Sequence, residues 1–377
     1  ITINVNAVNQ APAGTDNTVT TNEDTAFAVA VADFGFTDPN NTPANSLFAV
    51  TITTLPAVGT LALSKFLTGL SLTLKVSAVG MELLRSKEQS SMQADVRNYA
   101  FKSRCDGTFE EVGATLGLAY DSYGNARSGM GIDAADVRDD GVPAIAIGNF
   151  ANEMTAFFVK QTGSGQFVDE SIAAGLGAPS RASLTFGVLF LDYDLDGRLD
   201  LLTINGHVED QIALVQASQQ HAQPARLYWN AGPDAPATFV PVAEAGGLTP
   251  PMVGRGGAYG DIDGDGDLDL LLVPTTGQVR LLRNDLTGAR WARIHLVGTT
   301  STHDAVGARV EVQSGPRTQR RLVSATHGYL SQSERTLTFG FGPGETADTV
   351  RVAWPGGAVQ TLSGVALNQT TTITEVQ

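Results

Sequence analysis

The residues of this sequence best suited to chemistry are aspartates set at alternate positions. The run Asp261-Ile262-Asp263-Gly264-Asp265-Gly266-Asp267-Leu268-Asp269 carries carboxylates at its first, third, fifth, seventh and ninth positions. Asp192, Asp194, Asp196 and Asp200 repeat that spacing around Gly197, with Arg198 at the seventh position. Carboxylates crowded this closely repel one another unless a cation sits among them. Ca2+ suits the pattern, because it takes six to eight oxygen ligands at about 2.3–2.6 Å in flexible geometry. Side chains at positions 1, 3 and 5 converge on one point while the glycine allows a tight turn. The main-chain carbonyl of Asp267 or Arg198 adds a ligand, and Asp269 or Asp200 closes the shell. The expected metal ligands are therefore Asp261, Asp263, Asp265, Asp267 and Asp269 in one loop. In the other they are Asp192, Asp194, Asp196, Arg198 (through its carbonyl) and Asp200. An EF-hand needs a glutamate at position 12, where this sequence has Leu272 inside an apolar run, so the loops lie between strands. A third loop, 136–141, keeps Asp136, Asp140 and Gly141 but has Arg138 at position 3 and Ala144 at position 9. There the guanidinium of Arg138 is expected to replace the ion by pairing with both aspartates.

The elements that position these loops recur. Gly107-Thr108-Phe109 leads to Gly117-Leu118, and Gly165-Gln166-Phe167 leads to Gly175-Leu176. A looser copy runs from Thr238-Phe239 to Gly247-Leu248. Each is followed by an Asp loop and then by an apolar strand, expected at 144–147, 201–204 and 270–273. The loop glycines Gly141, Gly197 and Gly266 stand 56 and 69 residues apart. Strands repeating at such a period predict blades of a β-propeller. The block 291–377 has six candidate strands between Gly-rich turns: 293–297, 308–312, 321–325, 337–341, 350–354 and 370–374.

Phe186-Gly187 and Gly256-Gly257-Ala258-Tyr259-Gly260-Asp261, together with the Asp loops, resemble the FG-GAP/VCBS repeats of integrin-type propellers. Asp304-Ala305-Val306-Gly307-Ala308-Arg309-Val310, Gly328-Tyr329-Leu330-Ser331-Gln332-Ser333 and Trp354-Pro355-Gly356-Gly357 resemble the ASPIC/UnbV domain of the cartilage acidic protein family. Residues 1–64 alternate as strands, with Val8-Asn9-Gln10-Ala11-Pro12 and Thr21-Asn22-Glu23-Asp24-Thr25. They resemble the cadherin-like or immunoglobulin-like repeats of bacterial surface adhesins, here in a truncated copy. The fold expected is all-β: a partial β-propeller over 105–290, a C-terminal β domain over 291–377 and a truncated sandwich-like segment over 1–64. Residues 65–104, holding four of the five lysines, read as a junction of unknown fold. The resemblance implies more blades than the three to four visible.

Charge narrows the function classes. The net charge is −15, and residues 105–290 alone carry ten basic against twenty-five acidic residues. No basic patch with interleaved aromatics accompanies it, so a nucleic-acid partner is not expected. Residues 66–84 alternate apolar with polar side chains, the period of a strand, so no membrane span is expected. Cys105 is the only cysteine, which excludes an intrachain disulfide. The first residue is Ile1, and a signal peptide, if one existed, is expected to have been removed or to lie outside this chain. The five histidines, His207, His221, His295, His303 and His327, show no metal-binding spacing. The segment from His327 to Gln332 is the best small-ligand candidate, set against a purely structural turn. Asn40-Asn41-Thr42 and Asn368-Gln369-Thr370 match glycosylation acceptors. The function expected is a non-enzymatic, calcium-binding secreted or cell-surface interaction and adhesion protein, with an extracellular protein or glycan as partner. The alternative is a propeller enzyme acting on polysaccharide or a secondary metabolite.

Overall fold

The computed structural model describes residues 97–376 apart from Cys105, all within one compact unit spanning 93–377. The expectations for residues 1–64, for most of 65–104 and for the Asn40 acceptor site lie outside the described residues.

The blades are antiparallel meanders. A short hairpin pairs β1 (Phe101–Ser103) with β2 (Phe109–Glu111). The next sheet runs β3 (Ile132–Ala135), β4 (Ala144–Ile147), β5 (Ala156–Lys160) and β6 (Phe167–Asp169), in spatial as in chain order. It is followed by β7 (Thr185–Leu191), β8 (Asp200–Asn205), β9 (Arg226–Asn230) and β10 (Phe239–Pro241), again in order. A third sheet holds β11 (Gly254–Gly260), β12 (Asp269–Pro274) and β13 (Arg280–Leu282). The expected strands after each Asp loop are β4, β8 and β12, so each loop is the turn between a blade's first two strands.

Side chains alternate faces along a strand, and a blade stacked between two others buries both. In β7 every residue is buried. Val188 and Phe190 join Phe157, Ala146 and Val159 of the preceding blade, while Leu189 and Leu191 join Leu268, Leu270 and Leu272 of the following one. Phe157 and Phe239 meet edge to face at 5.3 Å. Full burial of such side chains contributes roughly 1.5–3 kcal/mol each.

The repeated Gly-Leu and Gly-x-Phe units gain a physical meaning here. The Phe167 amide donates to Leu116 O and the Phe239 amide to Ala174 O, so each Gly-Leu stretch pairs with the last strand of the next blade. A Cβ on Gly117 or Gly175 would lie 2.3 Å from the carbonyl oxygen of Phe167 or Phe239. The repeat is the stitch between blades.

The C-terminal domain stacks two sheets around one core. One sheet orders β17 (Leu337–Phe341), β14 (Arg290–Val297) and β20 (Gln369–Thr374). The other orders β16 (Arg317–Leu322), β15 (Arg309–Ser314), β18 (Ala347–Ala353) and β19 (Val359–Val365). Ile294, Val310, Phe339, Val350, Val352 and Trp354 are among its buried residues. Two expectations are corrected. The strand expected at 321–325 is β16 at Arg317–Leu322, and β19 was not foreseen. Both present mainly polar or exposed side chains, so neither carries an apolar stripe. No described helix is long and apolar enough to cross a membrane.

Candidate metal centre

The 192–200 loop is the most enclosed of the three. Its turn is made by Leu195 and Gly197, at φ 56° and 87°. Asp192 Oδ2 accepts the amides of Gly197 at 3.0 Å and of Gly340, in the C-terminal domain, at 3.1 Å. Asp192 Oδ1 is buried and has no hydrogen-bond partner among the described residues. Asp200, fully buried, accepts the Tyr193 amide at 3.2 Å and the Asn230 amide at 2.7 Å. Asp192, Asp194 and Asp200 each bring a carboxylate oxygen within 4.8 Å of the others. Burial, then the charges of Asp196 and Asp194, push Asp192 up to about 7, with Arg321 pulling against them. Burial likewise raises Asp194 and carries Asp200 well above the usual range. Three carboxylates that resist ionisation together, one with an unsatisfied buried oxygen, form a set that a hard cation relieves. The residues present fit such an ion.

Asp196 and Arg198 do something else with their side chains. The Arg198 guanidinium donates to Asp196 Oδ2 at 2.7 Å, and the Arg198 amide to Asp196 Oδ1, also at 2.7 Å. Asp196 thus stands outside the converging trio.

In the 261–269 loop the converging residues are Asp261, Asp263 and Asp265, the last two exposed. Asp261 accepts the amides of Gly264 at 2.7 Å and Gly266 at 3.1 Å, and an ion pair from Arg293. Asp269 repeats the role of Asp200, accepting the Ile262 and Asn284 amides, each at 2.8 Å. Asp267 is not one of the trio, but its carboxyl lies beside that of Asp265, and its buried Oδ1 has no hydrogen-bond partner among the described residues. Its Oδ2 accepts the Leu286 amide, and burial pushes its carboxyl up to about 6.

The 136–141 loop keeps the turn and changes the counter-charge. Asp136 accepts the Asp140 and Gly141 amides, and Asp139 adopts φ 56° where Leu195 does in the second loop. Arg138 does not pair with Asp136 and Asp140 as the spacing suggested. It reaches across the blade to Glu170 at 2.6 Å. The guanidinium beside Asp136 belongs to Arg320, at 3.5 Å, while Arg317 pairs with Asp139 at 2.9 Å.

One further pair of residues escaped the sequence reading. Asn230 and Asn284 follow matched Leu-x-x-Asn patterns, and their amide side chains tie each blade to the loop before it. Asn230 Nδ2 donates to Val137 O and Leu199 O, and Asn284 Nδ2 to Tyr193 O. The segment from His327 to Ser333 crosses the first strands of three blades. His327 Nδ1 lies 3.0 Å from Asp133 Oδ1, and the Gly257 and Tyr259 amides donate to Ser331 and Ser333 hydroxyls. Tyr329 packs edge to face on Phe186 at 4.9 Å.

Residues 298–377 match the family described as ASPIC and UnbV. They form an ASPIC/UnbV domain. Cartilage acidic protein 1 of Xenopus tropicalis is 29% identical over 280 residues, covering 71% of this chain and 39% of the relative. The Homo sapiens protein of that name is 29% identical over 273 residues, covering 69% and 37%. The Mus musculus protein is 28% identical over 290 residues, covering 74% and 41%. The chain thus spans about two fifths of the length of these relatives, and the match extends beyond the ASPIC/UnbV domain into the blades.

Proposed function

We propose that this chain is a calcium-binding extracellular interaction module, secreted or held at a cell surface. In this reading Asp-loop ions stiffen FG-GAP/VCBS-type blades that present a surface to a protein or glycan. The observation that carries it is Asp192 Oδ1, a buried carboxylate oxygen without a partner among two other converging carboxylates. Asp192, Asp194 and Asp200 would hold one ion, and Asp261, Asp263 and Asp265 a second. The ion supplies positive charge that lets buried carboxylates stay ionised. Its relatives are named as acidic proteins of cartilage, and extracellular modules bind calcium at about 10⁻⁴–10⁻³ M, where the ion is abundant outside cells. The role is read as non-enzymatic. His327 and Ser331, the residues best placed for chemistry at the blades' inner strands, are engaged in hydrogen bonds that seat the C-terminal domain.

Thermal melts in calcium and in chelator test the reading. An ion at a hundred times its dissociation constant stabilises the folded state by about 2.7 kcal/mol. The melting temperature is therefore expected to rise by several degrees in calcium, and Asp192→Asn and Asp265→Ala should each remove part of that rise. Superimposed melts with and without calcium would refute it.

A further inference from the structure

All three Asp loops meet the C-terminal two-sheet domain at the same point, the glycine at position 6. A Cβ on Gly197 would stand 2.7 Å from Arg317 Nη1 and 2.8 Å from both Gln319 Nε2 and Gly340 O. One on Gly266 would fall inside the Trp291 ring, and Arg320 lies 3.8 Å from the equivalent point on Gly141. The contact is mutual, for a Cβ on Gly340 would lie 2.2 Å from the Leu195 backbone. The loop glycines thus serve the turn and also make room for a second domain.

What fills that room is a row of guanidinium groups. Arg317, Gln319 and Arg321 of β16 converge on the 192–200 loop and its neighbour Gly340, and Arg320 reaches the 136–141 loop. Arg317 Nη1 donates to Asp196 O at 2.8 Å while its Nε pairs with Asp139, stapling two neighbouring loops together. Arg321 donates to Gly197 O at 3.0 Å and lies over the Phe339 ring. Buried Gln319 donates to Gly340 O, whose own amide reaches Asp192. The domain grips the 192–200 loop by the carbonyls of Asp196 and Gly197 and by the Gly340 amide, which Asp192 accepts. Charge also balances. Three carboxylates and one divalent ion leave a single negative charge, and Arg321 is the guanidinium acting on Asp192.

We propose that ion binding in the 192–200 loop and docking of the ASPIC/UnbV domain are thermodynamically coupled. The ion holds the loop in the shape that Arg317 and Arg321 grip, and the gripped loop binds the ion more tightly. The inference rests on the calcium reading above and adds a consequence to it. Coupling of this kind is reciprocal, so the factor by which docking tightens the ion equals the factor by which the ion tightens docking. At the 136–141 loop Arg320 and Arg317 supply the counter-charge themselves, and that seat is independent of calcium.

The test is hydrogen exchange on the full chain, in calcium and in EGTA, beside calorimetric calcium titration of the same samples. Wild type, Asp192→Asn, Gly340→Val and Arg317→Gln are compared. Gly340→Val wedges the domain off Leu195 without altering charge. Arg317→Gln loosens the grip without steric strain, and carries the test if the valine variant fails to fold. In wild type, EGTA is expected to speed exchange of β16 and β17 about tenfold, in the range of ordinary allosteric couplings. Gly340→Val should exchange fast even in calcium and bind the ion roughly five- to 150-fold more weakly, with Arg317→Gln in the same direction. Calcium binding that Asp192→Asn abolishes, with unchanged exchange and unchanged affinity in the docking variants, would overturn the coupling and leave the calcium reading standing. Absence of calcium binding in wild type would overturn both.

Discussion

The 136–141 and 192–200 loops share one backbone and differ in what neutralises them. In both, the first aspartate accepts the amide of the position-6 glycine, and the fourth residue takes a left-handed conformation. The turn therefore belongs to Asp at position 1 and Gly at position 6. The two loops differ at positions 3 and 9. Asp194 and Asp200 converge with Asp192, whereas Arg138 turns to Glu170 and Ala144 offers no oxygen. Where carboxylates are missing, Arg320 and Arg317 arrive from the ASPIC/UnbV domain. The first loop keeps the turn with guanidinium groups beside its aspartates.

The largest effect expected from breaking this contrast is at position 9. Asp200→Ala strands the part-buried Tyr193 amide and the buried Asn230 amide, a loss of about 3 kcal/mol that urea unfolding in EGTA should register. The first loop escapes this cost because the Val137 amide finds Ala135 O instead. A loss under about 1 kcal/mol would deny the structural half of the role given to Asp200. Next in size is a graft. Arg138→Asp, Ala144→Asp and Arg320→Gln together rebuild the ligand set in the first loop. Calorimetry should then count one ion more than in wild type, contributing up to about 2.7 kcal/mol at a hundredfold excess over its dissociation constant. An unchanged count would show that ligand positions alone do not make the site. Arg320→Gln by itself is smaller. The pair with Asp136 is partly solvated, so a loss of about 0.5–1 kcal/mol is expected, equal in calcium and EGTA and reduced by salt. A calcium-dependent loss would contradict the division of labour between the loops.

Much of the blade region was readable because its signals are local. The Asp loops, the strands that follow them and the Gly-Leu stitch each lie within a few tens of residues. The docking arginines were not readable, since Arg317 and Asp139 stand 178 positions apart and Arg320 and Asp139 stand 181 apart. Arg317-Thr318-Gln319-Arg320-Arg321 carries no apolar stripe, and nothing nearby in sequence marks the face that a distant loop covers. Arg138 misled for the converse reason. It stands two residues from Asp136 in sequence, but in the folded loop its guanidinium pairs with Glu170.

A last prediction uses a carboxylate held by main-chain amides and a hydroxyl, with no cation beside it among the described residues. Glu375 accepts the amides of Ser301, Thr299 and Thr300 and the Ser301 hydroxyl, which lower it to about 2. A depressed acid contributes its stability above its unfolded value and loses it as pH falls through the folded one. Stability of the ASPIC/UnbV domain should therefore decline between about pH 5 and pH 2, and Glu375→Gln should flatten that limb. An unaltered acid limb in the variant would count against these hydrogen bonds. The contrast with Asp192 is instructive. That carboxylate also accepts two amides, yet burial and two neighbouring aspartates push it the other way.

Anomalous diffraction from crystals of the full chain grown in calcium, or exchanged with a lanthanide, tests the central claim most directly. The account predicts a peak at about 2.3–2.6 Å from carboxylate oxygens of Asp192, Asp194 and Asp200, with Asp192 Oδ1 among them. A saturated crystal with no peak in the 192–200 loop would contradict it.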